Sequence, residues 1–548
     1  MLRRDFVSAG FAASFSALRS PWNMQIQGAK SVLEYGAIPD GKTLATKPIQ
    51  RAIDDAFQRG GGTVHVPSGV FLTGTIYLKS RITLYLDAGC TLLGSTSLSD
   101  YVDSDGDARQ RHLVFAKDAE DVTLAGQGRI DGQGPALWEP SGRAPKTPDE
   151  RWADVDSHSL KPKASGHPSP MLCFVRCDRL RIQDLHIENS PGWTLNTVNC
   201  SGVDIRGISI RNPTNGPNTD GIDVTSCQNV VVSNCSIDTG DDAICLKSVN
   251  PYGPEPPLVK NVIVTKCTLT TCCNGFKLGT ESEGGFENIT FSDSVVSNGN
   301  VSFEDRVISG IAIEVVDGGW IDGVKVSGIQ MQRTRAPIFI RLGDRKQTQD
   351  NAHHGLRNVQ IQNVHASDAL LASSITGFPG MAVQDITLSD VSITNRFPSR
   401  AEWVGRTVPE KDRAYPEAWM FGMLPASGLY ARHVHGLYLN NLALEAAAGE
   451  ARPTVILDDV SNAGIAGLSS SSIVGRMPIV QLIGCQDVQI SNSVAPPGTD
   501  SFLRVDGSAS ANIILSEDDL RNAHRAFETS GDVSAQAVTL ARNTLAPK

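Results

Sequence analysis

Short apolar runs alternate with turn residues along most of the chain, and one phrase of this pattern recurs many times. The phrase begins with Asn, Asp, Arg or Gly and continues with apolar side chains at every second position. Alternation with a period of two is typical of β-strands. Copies begin at Asp121, Arg179, Gly202, Asn229, Asn261, Asn288, Asn358, Asp385, Asp487 and Asn512.

The spacing of these copies predicts the architecture. Successive starts at 179, 202, 229, 261 and 288 are separated by 23, 27, 32 and 27 residues. A repeat of this length, with several strands per copy and almost no helix, favours an all-β fold, a single right-handed parallel β-helix. A propeller needs longer blades, and a leucine-rich repeat needs a leucine ladder with helices.

One helix is predicted ahead of the β region. Apolar residues recur at helical spacing from Ile49 to Phe57, Thr46 is the expected N-cap, and Gly60-Gly61-Gly62 ends the pattern. We expect this helix to cover the open end of the solenoid, where strand edges would otherwise lie exposed.

Insertions rich in Pro, Gly and charge interrupt the period, and we expect them to form long loops over a binding groove. The insertions are Trp138 to Ser169, Asn250 to Pro257, Asn298 to Val307, Asp344 to Leu356 and Arg396 to Ser427. No second domain is indicated, so residues 28–548 are predicted to form one β-helix domain.

Residues 1–27 resemble a twin-arginine export signal, with Arg3-Arg4 ahead of a weakly apolar run too short to span a bilayer. The alternative is a frayed basic tail, since no clear cleavage site follows. Export predicts a periplasmic or secreted protein.

Composition narrows the partners. A net charge of −10 disfavours a nucleic-acid or anionic-membrane surface. Most of the 11 cysteines fall inside apolar strand patterns, which favours buried packing positions over disulfides, and the Cys272-Cys273 spacing is not that of a zinc site. We therefore predict no metal, no cofactor and a monomer.

Three polar corners carry the candidate chemistry. They read N-T-D-G-I from Asn218, T-G-D-D-A-I from Thr239 and N-G-F-K-L-G-T-E from Asn274. Aligned on their apolar runs, they place Asp220, Asp242 and Asn274 in one column, with Asp241 beside it. Clustered carboxylates can split a glycosidic bond, and repulsion within the Asp241–Asp242 pair is expected to raise one pKa, as a general acid requires.

The motifs resemble glycoside hydrolase family 28, the polygalacturonase family. Further stretches similar to that family run from about residue 30 to 460. They include G-A-I-P-D-G-K-T from Gly36, G-G-G-T-V from Gly60, G-R-I-D-G-Q-G from Gly128, S-P-G-W-T from Ser190 and the run from Tyr415 to Val434. The resemblance implies that Asp241 is the general acid, and that Asp220 and Asp242 hold and deprotonate water in an inverting hydrolysis. Asn218 and Asn274, at the same corners, are predicted to bind substrate.

Two departures from the family matter for substrate. The family histidine is missing, and either Cys273 or Asn274 takes its place. The family's R-I-K, which grips a uronate carboxylate, aligns with Ala312-Ile313-Glu314, so the usual galacturonate subsite is lost. Lys277, Glu281, Glu314 and Arg341 are predicted to form a different substrate subsite, the alternative being ordinary ion pairs.

Other readings remain open. Trp138, Trp193, Trp320, Tyr252 and Trp419 either stack on sugar rings or pack loops, whereas His433 and His435 are interpreted as structural. The rival functions are a calcium-dependent β-helix polysaccharide lyase and a non-catalytic glycan-binding β-helix.

Overall fold

The computed structural model describes residues 29–104, 107–142, 159–299, 307–347, 353–396 and 399–545. Residues 1–27, with the predicted export signal, lie outside these ranges, so the signal and the domain boundary after it stay predictions. None of the described helices is long and apolar enough to cross a membrane.

The described strands stack in three parallel ladders, in which each strand bonds to its counterpart one coil further on. The predicted parallel β-helix is confirmed. The first ladder, called the groove ladder below, comprises Ile76–Leu78, Val114–Lys117, Leu172–Val175, Leu195–Val198, Ile222–Thr225, Ile244–Ser248, Asn274–Ser282, Ser309–Val315, Ala336–Leu342, Ser373–Thr376, Leu429–Glu445, Val455–Ala466, Val480–Ile483, Thr499–Asp506 and Ala523–Thr529.

The second and third ladders complete each coil and merge into longer strands from Gly285 onward. Leu429–Glu445 and Val455–Ala466 continue from the groove ladder into the second ladder, where they pair with Val383–Asn395 and Gln486–Ser491. The second ladder comprises Lys30–Ser31, Gly62–Val66, Ile82–Leu86, Thr123–Gly126, Arg181–Gln183, Ser201–Arg206, Gln228–Ser233, Leu258–Thr265, Gly285–Ser297, Trp320–Gln332, Gly355–Ala369, Val383–Asn395, Gln486–Ser491, Ala511–Ser516 and Val538–Ala541. The third comprises Asp40–Leu44, Gly69–Thr73, Cys90–Gly94, Arg129–Asp131, His186–Glu188, Ser209–Arg211, Ser236–Thr239, Thr268–Thr271 and Ser469–Ser470.

Smaller elements decorate the coil. Strand pairs outside the ladders are Asp103–Ser104 with Asp107–Arg111, Trp138–Pro140 with Leu160–Pro162, and Asp519–Leu520 with Thr544–Leu545. Within the described ranges, the helices are α-helix Thr46–Gln58 and the short 3₁₀ turns Val32–Tyr35, Leu98–Asp100, Gly134–Leu137 and Ala401–Trp403.

The repeated phrase begins at a left-handed corner. All ten of its first residues have φ between 53° and 67°, a conformation that Asn, Asp and Gly adopt more readily than other residues. The corner asparagines also bond along the coil: Asn261 Nδ2 donates to Asn229 Oδ1 at 3.0 Å, and Asn288 Nδ2 donates to Asn261 Oδ1 at 3.1 Å. The residue that marks each repeat in the sequence is therefore the residue that forms the left-handed corner.

Apolar side chains fill the interior in columns. Val230, Val262, Ile289 and Val324 pair in register from coil to coil, and each is at least 99% buried. Cysteines stack in the same way, with Cys177 N donating to Cys200 Sγ at 3.3 Å and Cys200 N donating to Cys227 Sγ at 3.2 Å. All 11 cysteines are free thiols, and ten of them are buried, as predicted for packing positions, whereas Cys273 is partly exposed.

The N-terminal helix packs on the first coil, as predicted, through Ile49, Ala52, Ile53 and Ala56. One detail of the prediction is wrong, because the N-cap is Ala45 and Thr46 is the first helical residue. The Thr46 hydroxyl accepts a hydrogen bond from Gly74 N at 2.8 Å instead, which ties the helix to a neighbouring strand.

Candidate active site

Strand register brings the three polar corners together. Ile222 lies opposite Ile244, which lies opposite Phe276. The preceding corners follow the same register, since Gly221 N donates to Asp242 O at 2.8 Å and Ala243 N donates to Asn274 O at 2.9 Å. Asp220, Asp242 and Asn274 therefore form one column at the start of the groove-ladder strands, as the repeat alignment predicted.

Asp241 lies at the tip of the tight turn before Ile244. Its carbonyl accepts hydrogen bonds from the hydroxyls of Thr239 and Thr271, and one of its carboxylate oxygens accepts from Asp242 N at 2.8 Å. The turn is further held by Gly240 N, which donates to Thr219 Oγ1 at 3.1 Å. Asp241 remains partly exposed.

Asp242 is buried and surrounded by donors. Asn274 donates to Asp242 Oδ1 through its backbone N at 3.0 Å and its Nδ2 at 2.8 Å. Lys277 Nζ lies 3.2 Å from the other oxygen, Oδ2. These contacts fix the orientation of the Asp242 carboxylate and supply it with positive charge.

Asp220 is buried and carries an oxygen, Oδ1, that has no hydrogen-bond partner. Burial and, next, the charge of Asp241 raise the pKa of Asp220 well above its usual range. The shift that the sequence predicted within the Asp241–Asp242 pair stays a prediction, and the structure adds a raised pKa for their neighbour Asp220.

The two residues considered as substitutes for the family histidine lie side by side. Asn274 stands in the column and bonds Asp242, whereas the Cys273 Sγ approaches Asp241 and Asp242, with the ligand atoms of all three within 4.8 Å of one another. Burial and the neighbouring carboxylates raise the pKa of the Cys273 thiol, so the thiol stays protonated.

A buried ion-pair network borders Asp220 on the same ladder. Lys247 Nζ lies 3.1 Å from Glu281 Oε2 and 3.6 Å from Asp223 Oδ1, and it sits 4.6 Å from the ring centroid of Trp193. Burial opposes ionisation of Glu281, but the attraction of Lys247 outweighs it and lowers the pKa of Glu281 to about 2. Asp223 and Lys247 were missed from the sequence, although their register opposite Cys245 and Thr225 could have revealed them.

Lys277 also faces Glu314, one coil further along. Glu314 is fully buried, its Oε2 lies 3.9 Å from Lys277 Nζ, and its Oε1 has no hydrogen-bond partner. Burial raises the pKa of Glu314 well above its usual range, despite the attraction of Lys277. The predicted substrate residues Lys277 and Glu314 thus lie together beside Asp242.

Arg341 lies opposite Glu314 in the register, as predicted, but its guanidinium points elsewhere. It donates to Gly377 O at 2.7 Å and to Glu410 O at 3.0 Å, and the residue is 1% exposed. The structure therefore does not bring Arg341 into the carboxylate cluster. Asn218 is exposed at the corner before Asp220, with φ of 49°.

A loop contributes two side chains that sequence reasoning missed. Lys277 Nζ lies 5.7 Å from the ring centroid of Tyr415, and Glu417 is buried close to Lys277, Asn274 and Asp242. Burial raises the pKa of Glu417 to about 7, against the attraction of Lys277. The run Tyr415-Pro416-Glu417 was noted only as a family similarity, since nothing in the repeat period relates it to the aspartate corners.

The candidate sugar-stacking aromatics separate into different places. Trp193 lies beside Lys247 at the site, whereas Trp138 is buried and donates from Nε1 to Pro191 O at 2.9 Å. Trp320 lines a cleft of about 940 Å³ on another face. None of the clustered aspartates is among the described residues that line this cleft. Tyr252 bonds Gln110, and Trp419 packs with the apolar side of its loop.

The two histidines interpreted as structural are bonded away from the aspartate column. His433 contacts Asp459 Oδ2 at 2.6 Å and Glu410 Oε2 at 3.1 Å, and His435 contacts Ser461 Oγ at 3.0 Å.

Clustered carboxylates on one face of a parallel β-helix are suited to the hydrolysis of glycosidic bonds. Residues 58–409 match the family described as Glycosyl hydrolases family 28, and the chain belongs to that family.

Related proteins agree with this membership. A probable polygalacturonase from Vitis vinifera is 28% identical over 387 residues, covering 66% of this chain and 74% of that protein. An endo-polygalacturonase from Pectobacterium carotovorum is 24% identical over 313 residues, covering 54% and 71%. The structure of an exopolygalacturonase from Thermotoga maritima superposes with a TM-score of 0.54 at 26% identity, covering 67% of this chain and 86% of that one.

Burial of Asp223 generates a prediction about stability. Burial raises its pKa to about 7, from an ordinary value near 3.9. A carboxyl with a raised pKa contributes stability below its unfolded pKa, and that contribution is lost as pH rises through about 7. We expect Asp223→Asn, which cannot titrate, to lose less stability than the wild type between pH 5 and 8, by roughly 2 kcal/mol.

Chemical denaturation at the two pH values measures this difference. Asp204→Asn, on the second ladder, serves as the matched control and should follow the wild type. Equal pH dependence in wild type and Asp223→Asn would contradict the assignment of a raised pKa to Asp223.

Proposed function

We propose that this chain, a glycoside hydrolase of family 28 acting on a pectin-related polysaccharide, uses Asp241 to protonate the leaving glycosidic oxygen. Asp220 and Asp242 hold and deprotonate the attacking water. The hydrolysis inverts the anomeric centre, in keeping with the family resemblance.

The contacts around the aspartates support this division of roles. Asp242 accepts from Asn274 and contacts the ammonium of Lys277, so it is suited to orient a water molecule and to receive its proton. Asp220, one coil away, has an unpartnered buried oxygen that can hold the same water. Asp241 lies at the turn tip, partly exposed to the groove, where a leaving-group oxygen can reach it. This placement of Asp241 beside a donor-bound Asp242 is the observation that carries the proposal.

The two rival functions are less well supported. The family is one of hydrolases, which does not favour a lyase or a pure binding protein. Calcium prefers oxygen ligands, whereas the convergent group here pairs Asp241 and Asp242 with a protonated thiol, Cys273. Asp242 is moreover in contact with the Lys277 ammonium.

Asp241→Asn tests the proposed acid. The amide keeps the size of the side chain but cannot donate the carboxylic proton, so we expect kcat to fall by about two to four orders of magnitude. Thermal unfolding and glycan binding should stay close to those of the wild type. Asp204→Asn is the control, and a near wild-type rate for Asp241→Asn would remove Asp241 from the acid role.

The charges around the site bear on the substrate. Among the described residues, the carboxyl groups at the site outnumber its lysines; they are Asp220, Asp223, Asp241, Asp242, Glu281, Glu314 and Glu417, against Lys247 and Lys277. Arg345 lies nearby, but its guanidinium is held by both oxygens of Asp317, at 2.8 and 2.7 Å. A uronate carboxylate entering this site meets more carboxyl groups than cations, together with buried acceptors that have no donor.

We therefore expect plain polygalacturonate to be a poor substrate compared with a neutral or mixed-backbone glycan. Loss of a bidentate arginine contact, with no cation at Ala312 or Glu314 to replace it, corresponds to about a tenfold to hundredfold loss in binding. Reducing-end assays on polygalacturonate, rhamnogalacturonan and neutral oligosaccharides measure the preference. Brisk cleavage of polygalacturonate by the wild type would show that the inferred loss of the galacturonate subsite is wrong.

A further inference from the structure

One face of the groove ladder changes character from coil to coil. The outward positions in one column are Asp223, Cys245 and Lys277, followed by Ala312 and Phe339. The polar part of this column ends at Lys277, and the apolar part begins one coil later. Ala312 and Phe339 are nonetheless fully buried, because a loop covers them.

The covering loop is residues 399–428, here called the wall segment. Its apolar side chains Met420, Phe421 and Leu424 form one buried cluster with Ala312 and Phe339. The wall segment therefore stands on the coil next to Lys277 and rises over the groove ladder at that point.

Arginines from three coils bind the wall segment through its backbone carbonyls. Arg341 donates to Glu410 O at 3.0 Å, Arg432 donates to Val408 O at 2.8 Å, and Arg452 donates to Leu424 O at 3.1 Å. Asp344 N also donates to Asp412 O at 2.7 Å. Charged donors bonded to carbonyls hold a segment firmly, so the wall segment is a fixed boundary of the groove.

Glu417 projects from this boundary into the site. It is 94% buried, hydrogen-bonds through its side chain with Asn274 and faces Lys277. Its Oε2 is buried and has no donor, as is the case for Asn274 Oδ1 and Glu314 Oε1 around it. Buried acceptors without donors are costly unless a ligand supplies them, and sugar hydroxyls are such donors.

We propose that the wall segment closes the groove one coil beyond the Asp241–Asp242 turn, so that the site receives the end of a glycan chain, and that Glu417 binds a hydroxyl of the terminal sugar. Coils are spaced by about 4.8 Å. The coil of Lys277 is the only one between the coil of Asp242 and the wall segment on Ala312. A chain running along the groove must therefore end there. This inference rests on the proposed hydrolysis.

The product pattern tests the closed groove. With a polysaccharide that the enzyme hydrolyses, the concentration of reducing ends should rise from the start and a single small product should carry them. The viscosity of the solution should fall little. A mixture of oligosaccharides with a rapid fall in viscosity would overturn the closure. Absence of new reducing ends from every glycan tried would instead count against the proposed hydrolysis.

Glu417→Gln tests the binding residue on the best short oligosaccharide from that assay. Loss of the carboxyl acceptor should raise KM by roughly tenfold to a hundredfold, with a smaller effect on kcat. Glu402→Gln, on an exposed residue of the same wall segment, is the matched control and should leave both constants unchanged. An unchanged KM in Glu417→Gln, with wild-type thermal stability, would exclude Glu417 from the sugar site.

Discussion

The in-register stacking of parallel strands is the constraint on which the site depends. Each coil repeats the position of the one before, so any residue type that recurs at one corner is placed beside its copies. The register from Ile222 to Ile244 to Phe276 forces Asp220, Asp242 and Asn274 into one column. Like charges in such a column repel, and the fold does not separate them.

Two buried lysines offset part of the repulsion among the carboxyl groups of this column and its neighbours. Lys277 contacts Asp242 and faces Glu314, whereas Lys247 bridges Asp223 and Glu281. Neutralisation is incomplete, as the raised pKa values of Asp220, Asp223 and Glu417 show. Neighbouring carboxyl groups whose protonation is coupled suit acid and base catalysis, because one group can carry a proton while its neighbour accepts one.

Sequence reasoning succeeded where a residue belongs to the repeat. The β-helix, its corners at Asn229 and Asn261, and the column of Asp220 with Asp242 all follow from the repeat. Sequence reasoning failed where the orientation of a long side chain or the packing of an insertion determines which residues reach the site. Arg341 occupies the predicted register, but its guanidinium donates to the carbonyls of Gly377 and Glu410. The repeat period gives no information about these carbonyls. Glu417 reaches the site from an insertion outside the period, and only the packing of its loop on Ala312 and Phe339 places it there.

The central claim is that water, held between Asp220 and Asp242, attacks the sugar ring directly. Asp241 protonates the leaving glycosidic oxygen on the opposite face of the ring. Proton NMR of the first-formed product, recorded before mutarotation, tests this claim most directly. A direct attack gives a product whose anomeric configuration is opposite to that of the cleaved bond. A product of retained configuration would mean a covalent glycosyl–enzyme intermediate, and would contradict the assignment of the aspartate column to water activation.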